Sequence, residues 1–259
     1  MRKNILYFIL TLFFLSGLYA TSLPEDNVVS GVIYEKIDTV SAEVDHIYPM
    51  LALAIVYKDW QEKNMLNKQG HNIGLVIVDE NNMPVFWVRN SVHATHNGTQ
   101  HGEVRLVSNL LNCEGFNKYL DKYTLYTTLE PCIMCAGMLS MVQIPKVVYA
   151  QKDLSCGNTQ EIISTAKYPR YYKAFTVENG YKKDLEECFE QYKICKNDSI
   201  TDFLVNDSAK EIFRKASNDL QDYKVKFKEN RRVIKVAQEF LQNIQTKDNL
   251  DVLQCPKNM

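Results

Sequence analysis

The chain has almost no surplus of charge. Lys and Arg number 30 against 31 Asp and Glu in 259 residues, a formal net charge of −1. A protein that grips nucleic acid over much of its surface needs a basic excess, so this balance excludes a whole-chain phosphate footprint and leaves room only for a local basic patch. Glycine and proline are both missing from residue 181 to residue 255. So long a stretch without either breaker reads as helix rather than as strands joined by tight turns. A second C-x-x-C is also lacking, so a closed four-cysteine zinc site would have to draw on scattered cysteines. Long apolar runs are absent except at the N-terminus.

That one run has the form of an export signal. Arg2 and Lys3 precede an apolar stretch from Ile5 to Leu15, interrupted only by Thr11, and the small residues Ser16, Gly17 and Ala20 come next. This is the order of a signal peptide, with cleavage expected after Ala20. The run is shorter than the roughly 20 residues of a bilayer span, so no stable membrane span is expected. An uncleaved N-terminal anchor is the alternative. Export implies a periplasmic or secreted protein and an oxidising environment that permits disulfides. Of the seven cysteines, Cys188 and Cys195 stand close enough in sequence to suggest a pair, and the odd count leaves at least one thiol unpaired or on metal.

With 46% hydrophobic residues, the rest suits one ordinary domain with an extension, or two small domains. Ile47, Met50, Leu51, Ala54 and Tyr57 recur at helical spacing and predict a helix from Ser41 to about Asn64. Leu75–Val78 and Val85–Val88 flank turn chemistry at Asp79–Asn82 and predict a hairpin. Helices are expected from His101 to Cys113 and from Pro131 through Met141, with Pro131 in the first helical turn. Strands are expected at Tyr123–Tyr126 and Val147–Ala150. This alternation points to an α/β sheet with parallel crossovers. Further on, Ser208 and Glu211 have capping-box spacing, and apolar residues from Phe213 to Ile244 step by three and four, as in one long amphipathic helix. Nine Lys and Arg against four Asp and Glu lie between Lys210 and Lys235, which reads as a solvated face.

Chemistry concentrates in two places. Cys132 and Cys135 lie one helical turn apart at a helix start, where the dipole favours the thiolate that binds metal. His101 is the third ligand, and three protein ligands leave zinc one open position, the pattern of a catalytic site. Residues two apart do not face each other within a helix, so His101 and Glu103 converge only if the motif sits at a helix mouth. There, Glu103 can take a proton from an activated water and return it. A lone C-x-x-C is equally well a redox pair, but H-x-E ahead of P-C-x-x-C is the signature of zinc deaminases.

The stretch from Tyr126 to Met138, with Glu130-Pro131-Cys132-Ile133-Met134-Cys135 at its centre, closely resembles the tRNA adenosine deaminase and guanine deaminase branch of the cytidine deaminase superfamily. Ile144 to Ala150 resembles the segment downstream of that motif in the same branch, and His101-Gly102-Glu103 resembles fungal cytosine deaminase. The resemblance covers about Ser41 to Tyr192. It implies a three-layer α/β fold, a mixed five-stranded sheet with helices on both faces, to which this chain adds a C-terminal helical extension. The chain then divides into a signal peptide (1–20), a deaminase domain (41–195) and the extension (196–259). The resemblance further implies Zn2+ as cofactor, hydrolytic deamination with Glu103 as proton carrier, Asn90 as a substrate contact, the backbone N–H of Cys132 as a donor to the attacking oxygen, and a homodimer. His93 and His96 are candidates for the pocket mouth, with exposed loop positions favoured. Tyr171, Tyr172 and Phe175 are candidates to stack on a base, and Asn97-Gly98-Thr99 is a glycosylation sequon.

Export favours a free nucleobase or nucleoside as substrate. A nucleic-acid deaminase effector, with the basic stretch after Lys210 on the strand, is the second expectation. A non-catalytic zinc module of the envelope, acting through its C-terminal helix, is the third, and Glu103 argues against it.

Overall fold

The computed structural model describes residues 34–35, 37–113, 115, 118–157, 173–177, 180–196, 199–244 and 255. The export signal, Tyr171 and Tyr172 lie outside them. Among the described residues no helix is long and apolar enough to cross a membrane.

The architecture is a mixed sheet with helices on both faces. Its five principal strands are β2 (Gly74–Val78), β3 (Pro84–Arg89), β4 (Thr124–Leu129), β5 (Lys146–Gln151) and β6 (Lys173–Val177). The two-residue β1 (Tyr34–Glu35) extends one edge, giving the order β1-β6-β5-β4-β2-β3. The expected hairpin is β2–β3, paired antiparallel with Leu75 opposite Val88. Its turn is held by Asp79, whose Oδ1 accepts from the N–H groups of Asn81 (2.9 Å) and Met83 (2.7 Å). β4, β5 and β6 run parallel. β2 is antiparallel to both β3 and β4, so the C-terminal ends of β3 and β4 lie on the same edge.

The sheet sorts its side chains by the two-residue period of a strand. Leu75, Ile77, Leu125, Val147 and Tyr149 face one core with α2 (Gly102–Leu111) and α3 (Ile133–Met141). Val76, Val78, Tyr126, Val148 and Ala150 face the other, with α1 (Val40–Lys58). α1 is buried along most of its length because it is covered twice, by the sheet below and by C-terminal helices above. Such burial needs its polar groups paired. Asp45 accepts from Tyr126 Oη (2.8 Å) and pairs with Lys146. Glu43 accepts from the backbone of Lys226 and Phe227 (3.1 Å) and from Asn230 Nδ2 (2.8 Å).

The C-terminal part departs from the expected single long helix. α4 (Gly180–Lys196) and the short α5 (Ile200–Phe203) lead into α6 (Asp207–Asp222), and α7 (Arg231–Asn243) comes after a break at 223–230. Glu43 holds that break, satisfying backbone N–H groups that a continuous helix would have used internally. The cap of α6 is Asn206, accepting from Ala209 N at 2.8 Å, rather than Ser208. The apolar stripe from Phe213 to Ile244 packs on α1. Four of the nine basic residues from Lys210 to Lys235 are ion-paired: Lys210 with Glu62, Arg214 with Glu211, Lys215 with Asp219 and Lys235 with Glu239.

The expected cysteine pair is corrected. Cys188 and Cys195 are free thiols. Both lie on α4, and seven residues of helix separate their Cα atoms by about 10 Å, beyond the reach of a disulfide. The bond that forms joins Cys113, just past α2, to Cys255. Phe175 likewise lies in β6 within the core, only 7% exposed, and has no free face for stacking on a base.

Candidate active site

Two helices start at the edge where β3 and β4 end. After β3 the chain makes the loop 90–101 and enters α2 through His101. After β4 it passes Glu130 and Pro131 and enters α3 through Cys132. His101 (φ −65°, ψ 156°) and Cys132 (φ −68°, ψ 170°) are both N-caps in extended backbone. The helix mouth that lets His101 and Glu103 converge is therefore present. Pro131 stands one residue before the cap instead of in the first turn, delivering the chain to Cys132 in the extended form. Gly102 lets α2 begin close against β2: a Cβ there would lie 1.9 Å from Leu75 Cδ1, so a larger residue needs that buried leucine to shift. Arg105 Nη1 donates to Arg89 O (2.8 Å) and ties α2 to the end of β3.

The three candidate ligands meet. Cys132 Sγ lies 3.7 Å from His101 Nδ1, Cys135 Sγ lies 3.5 Å from the same nitrogen, and the two sulfurs are 3.6 Å apart. A tetrahedral zinc with about 2.3 Å to sulfur and about 2.0 Å to nitrogen spaces its ligands by roughly 3.5–3.8 Å. Two sulfurs and one imidazole at this spacing fit zinc, and they form one group of metal-binding character among the described residues. The hydrogen bond between the two cysteines holds the Cys132 thiol down at about 4 and pushes Cys135 up. The hydrogen bond to Cys132 raises the His101 imidazole.

Glu103 lies in the first turn of α2, 4% exposed, in hydrogen-bond contact with Cys135. Burial holds its carboxyl above the ordinary range, the condition of a group that must pick up a proton and return it. Asn90 succeeds β3 and is 2% exposed. Its Oδ1 accepts from the N–H groups of His71 (3.3 Å) and Val92 (3.2 Å), which leaves the amide Nδ2 as the group it can offer a ligand. Gly70 makes room for it, since a Cβ there would lie 2.3 Å from Asn90 Oδ1.

All of these except Cys135 line one cavity of about 280 Å³. The sequence alone did not single out most of its other walls. His71 and Ile73 precede β2, Leu129 and Glu130 end β4, Asp153, Ser155 and Cys156 lie beyond β5, and Ser199, Ile200 and Thr201 come from the start of α5. Glu130 Oε2 accepts from Asp153 N (3.2 Å), and Asp153 Oδ1 accepts from Ser155 N and Cys156 N, so two buried carboxylates shape this side. His93 is set behind the cavity, its ring edge-on to His71 at 4.8 Å. His96 is exposed, at φ 50°. No periodicity or motif marks these positions; only the tertiary fold gathers them.

A family model described as "Cytidine and deoxycytidylate deaminase zinc-binding region" matches residues 51–151. The chain is 32% identical over 120 residues to a protein of Xenopus tropicalis named "tRNA-specific adenosine deaminase 2", covering 42% of this chain and 70% of that protein. It is 31% identical over 110 residues to the "tRNA-specific adenosine deaminase" of Aquifex aeolicus, covering 42% and 71%. Among solved structures it resembles the guanine deaminase of Bacillus subtilis with TM-score 0.37 and 19% identity, over 60% of this chain and 96% of that one.

Proposed function

Since the chain belongs to the cytidine deaminase superfamily, whose members are zinc-dependent deaminases, we propose that it removes the exocyclic amine of a free nucleobase or nucleoside and releases ammonia. The observation that carries this reading is Glu103, buried beside the His101–Cys132–Cys135 cluster and facing the same cavity. At about 280 Å³ that cavity sits at the small end of small-molecule sites. Its described lining contains no lysine or arginine. A strand of nucleic acid is held chiefly through cationic contacts to phosphate, and among the described lining residues such contacts are wanting.

His101, Cys132 and Cys135 would hold the zinc, which when bound supplies Lewis-acid activation of a water molecule near neutral pH. The residues do the rest. Asn90 Nδ2 donates to the ring and fixes it in the pocket. Glu103 accepts the proton that the attacking water gives up. It passes that proton to the ring nitrogen, then takes the second proton from the added hydroxyl and hands it to the leaving amine. The amine departs as ammonia and the ring keeps the water's oxygen. The N–H of Cys132 points from a helix start and steadies the attacking oxygen.

A second reading places the target adenosine inside RNA. The names of the tRNA-specific relatives favour it. The two buried carboxylates on the cavity wall, Glu130 and Asp153, weigh against it.

Export is part of the proposal. The N-terminal pattern supports it, as does the Cys113–Cys255 bond, which suits an oxidising compartment. A homodimer is proposed through α3, where Ile133 (56%) and Met141 (60%) expose apolar surface beside the site. Light scattering of the purified protein tests the dimer.

The deciding experiment measures zinc content and ammonia release from cytosine, guanine, adenine, their nucleosides and an adenosine-containing RNA hairpin, with Glu103→Ala as control. About one zinc per chain with Glu103-dependent turnover of a small molecule supports the proposal. Turnover of the hairpin alone replaces it with the second reading.

A further inference from the structure

Three cavity-lining residues, Ser199, Ile200 and Thr201, lie well outside the segment 51–151. They begin α5, the short helix between α4 and α6. Ile200 is only 5% exposed, and with Ile73 and Leu129 it supplies apolar lining of the kind a flat heteroaromatic ring needs. Ser199 and Thr201 add hydroxyls, 2.8 Å apart.

Phe203 packs α5 against Phe189 and Tyr192, and one buried polar side chain ties it to the end of β3. Asn72 is fully buried, and all of its hydrogen-bonding capacity is used. Its Oδ1 accepts from Gln61 N (3.0 Å) and Arg89 Nη2 (2.8 Å). Its Nδ2 donates to Gln61 O (2.8 Å) and to Leu204 O (2.9 Å). Leu204 is the C-cap of α5, Arg89 precedes Asn90, and Asn72 itself stands between the lining residues His71 and Ile73. One amide therefore fastens α5 to the strand end that carries the substrate contact. A second polar link, Lys63 to Asp202 at 3.3 Å, is exposed and weak.

We infer that α5 is the specificity wall of the pocket, with Ile200 setting which base or nucleoside fits and Asn72 acting as its positioning residue. The inference rests on the proposed deaminase reading and adds that selectivity lies outside the zinc-binding region.

The test uses the full-length chain with Ile200→Ala, Ile200→Trp and Asn72→Ala. kcat and KM are measured over the base and nucleoside panel, with dissociation constants from calorimetry in a Glu103→Gln background. Filling the wall with Ile200→Trp should shift the nucleoside-to-base ratio of kcat/KM by about tenfold or more. The change should fall on KM, with zinc content unaltered. Ile200→Ala should weaken binding and flatten the preference, and Asn72→Ala should reproduce that KM effect.

Selectivity unchanged within about twofold in both Ile200 variants, with active enzyme, overturns the inference and spares the proposed function. Base binding without any turnover overturns the proposed function, and the shift in dissociation constants with Ile200→Trp then decides the wall. Absence of binding to every base and nucleoside overturns both. The Ile200 variants decide the matter even if Asn72→Ala does not fold.

Discussion

His101 and Cys132 hold equivalent places on two different helices: each is the N-cap, each is in extended backbone, and neither spends its side chain on capping. Their Nδ1 and Sγ atoms face each other at 3.7 Å. An N-cap is normally Ser, Thr, Asp or Asn, because a side-chain oxygen there satisfies an orphan helix N–H. Here that benefit is given up for metal donors. Cys132→Ser and His101→Asn should therefore lose zinc while leaving the metal-free fold as stable as before or more so, by roughly 0.5–1 kcal/mol. Zinc content and denaturant melts of chelator-treated protein check both halves. A metal-free Cys132→Ser protein clearly less stable than the metal-free parent would show that the cysteine has a structural task as well.

Glu103→Gln keeps the shape of the site and removes the proton carrier. Zinc should stay bound, and turnover should fall by about 10²–10⁴. The same variant carries a pH signature in the metal-free protein. Burial raises the Glu103 carboxyl above its ordinary range. The folded protein therefore keeps a proton that the unfolded chain releases, and stability declines as pH rises through that interval. Glutamine never ionises, so Glu103→Gln should be the more stable protein at neutral pH, with the gain disappearing in acid. Melts at neutral and acid pH that show a constant difference would contradict this.

The motif residues were legible in the sequence because their spacing carries chemistry that few other folds demand. His101, Glu103, Cys132 and Cys135 came from such spacing, and the strands β2 to β5 from apolar runs beside turn residues. Asn90 came only from family resemblance. The walls of the cavity were not legible. His71, Asp153 and Ile200 belong to three separated segments, and nothing local distinguishes them until the sheet closes. The C-terminal helices escape sequence reading for a related reason. The apolar stripe from Phe213 to Ile244 continues across residues 223–230, so periodicity predicts one helix. The break is made by Glu43, far away in sequence, and such a partner leaves no local mark. The Cys113–Cys255 bond spans a separation of 142 residues and is equally invisible.

That disulfide should matter for stability. It joins the end of the helix carrying His101 and Glu103 to a residue near the C-terminus. Closing so long a loop restricts the unfolded chain, and a native disulfide typically contributes about 2–4 kcal/mol. The double variant Cys113→Ser/Cys255→Ser should unfold at lower urea than the parent. Reductant should bring the parent to the same midpoint and leave the double variant unmoved. A parent midpoint indifferent to reductant would mean that the bond does not form in the purified protein.

His46 predicts how the fold responds to acid. Its ring lies between Tyr181 and Tyr223, with centroids 6.3 and 5.5 Å away, and its Nδ1 is buried without a hydrogen-bond partner. Burial pulls its pKa down to about 4, against the opposing pull of Glu43 and Asp219. In the unfolded chain the imidazole titrates near its ordinary value of about 6.5. Between these two values the unfolded chain holds a proton that the folded protein refuses. Stability from this group is therefore complete above about pH 6.5 and is lost as pH falls toward 4, by roughly 3 kcal/mol in all. His46→Phe keeps a ring in the same space and removes the titration. Its denaturant midpoint should fall less steeply than the parent's between pH 7 and pH 4. Parallel pH profiles for the two proteins would mean that His46 titrates alike in the folded and unfolded chain, with Glu43 and Asp219 offsetting burial.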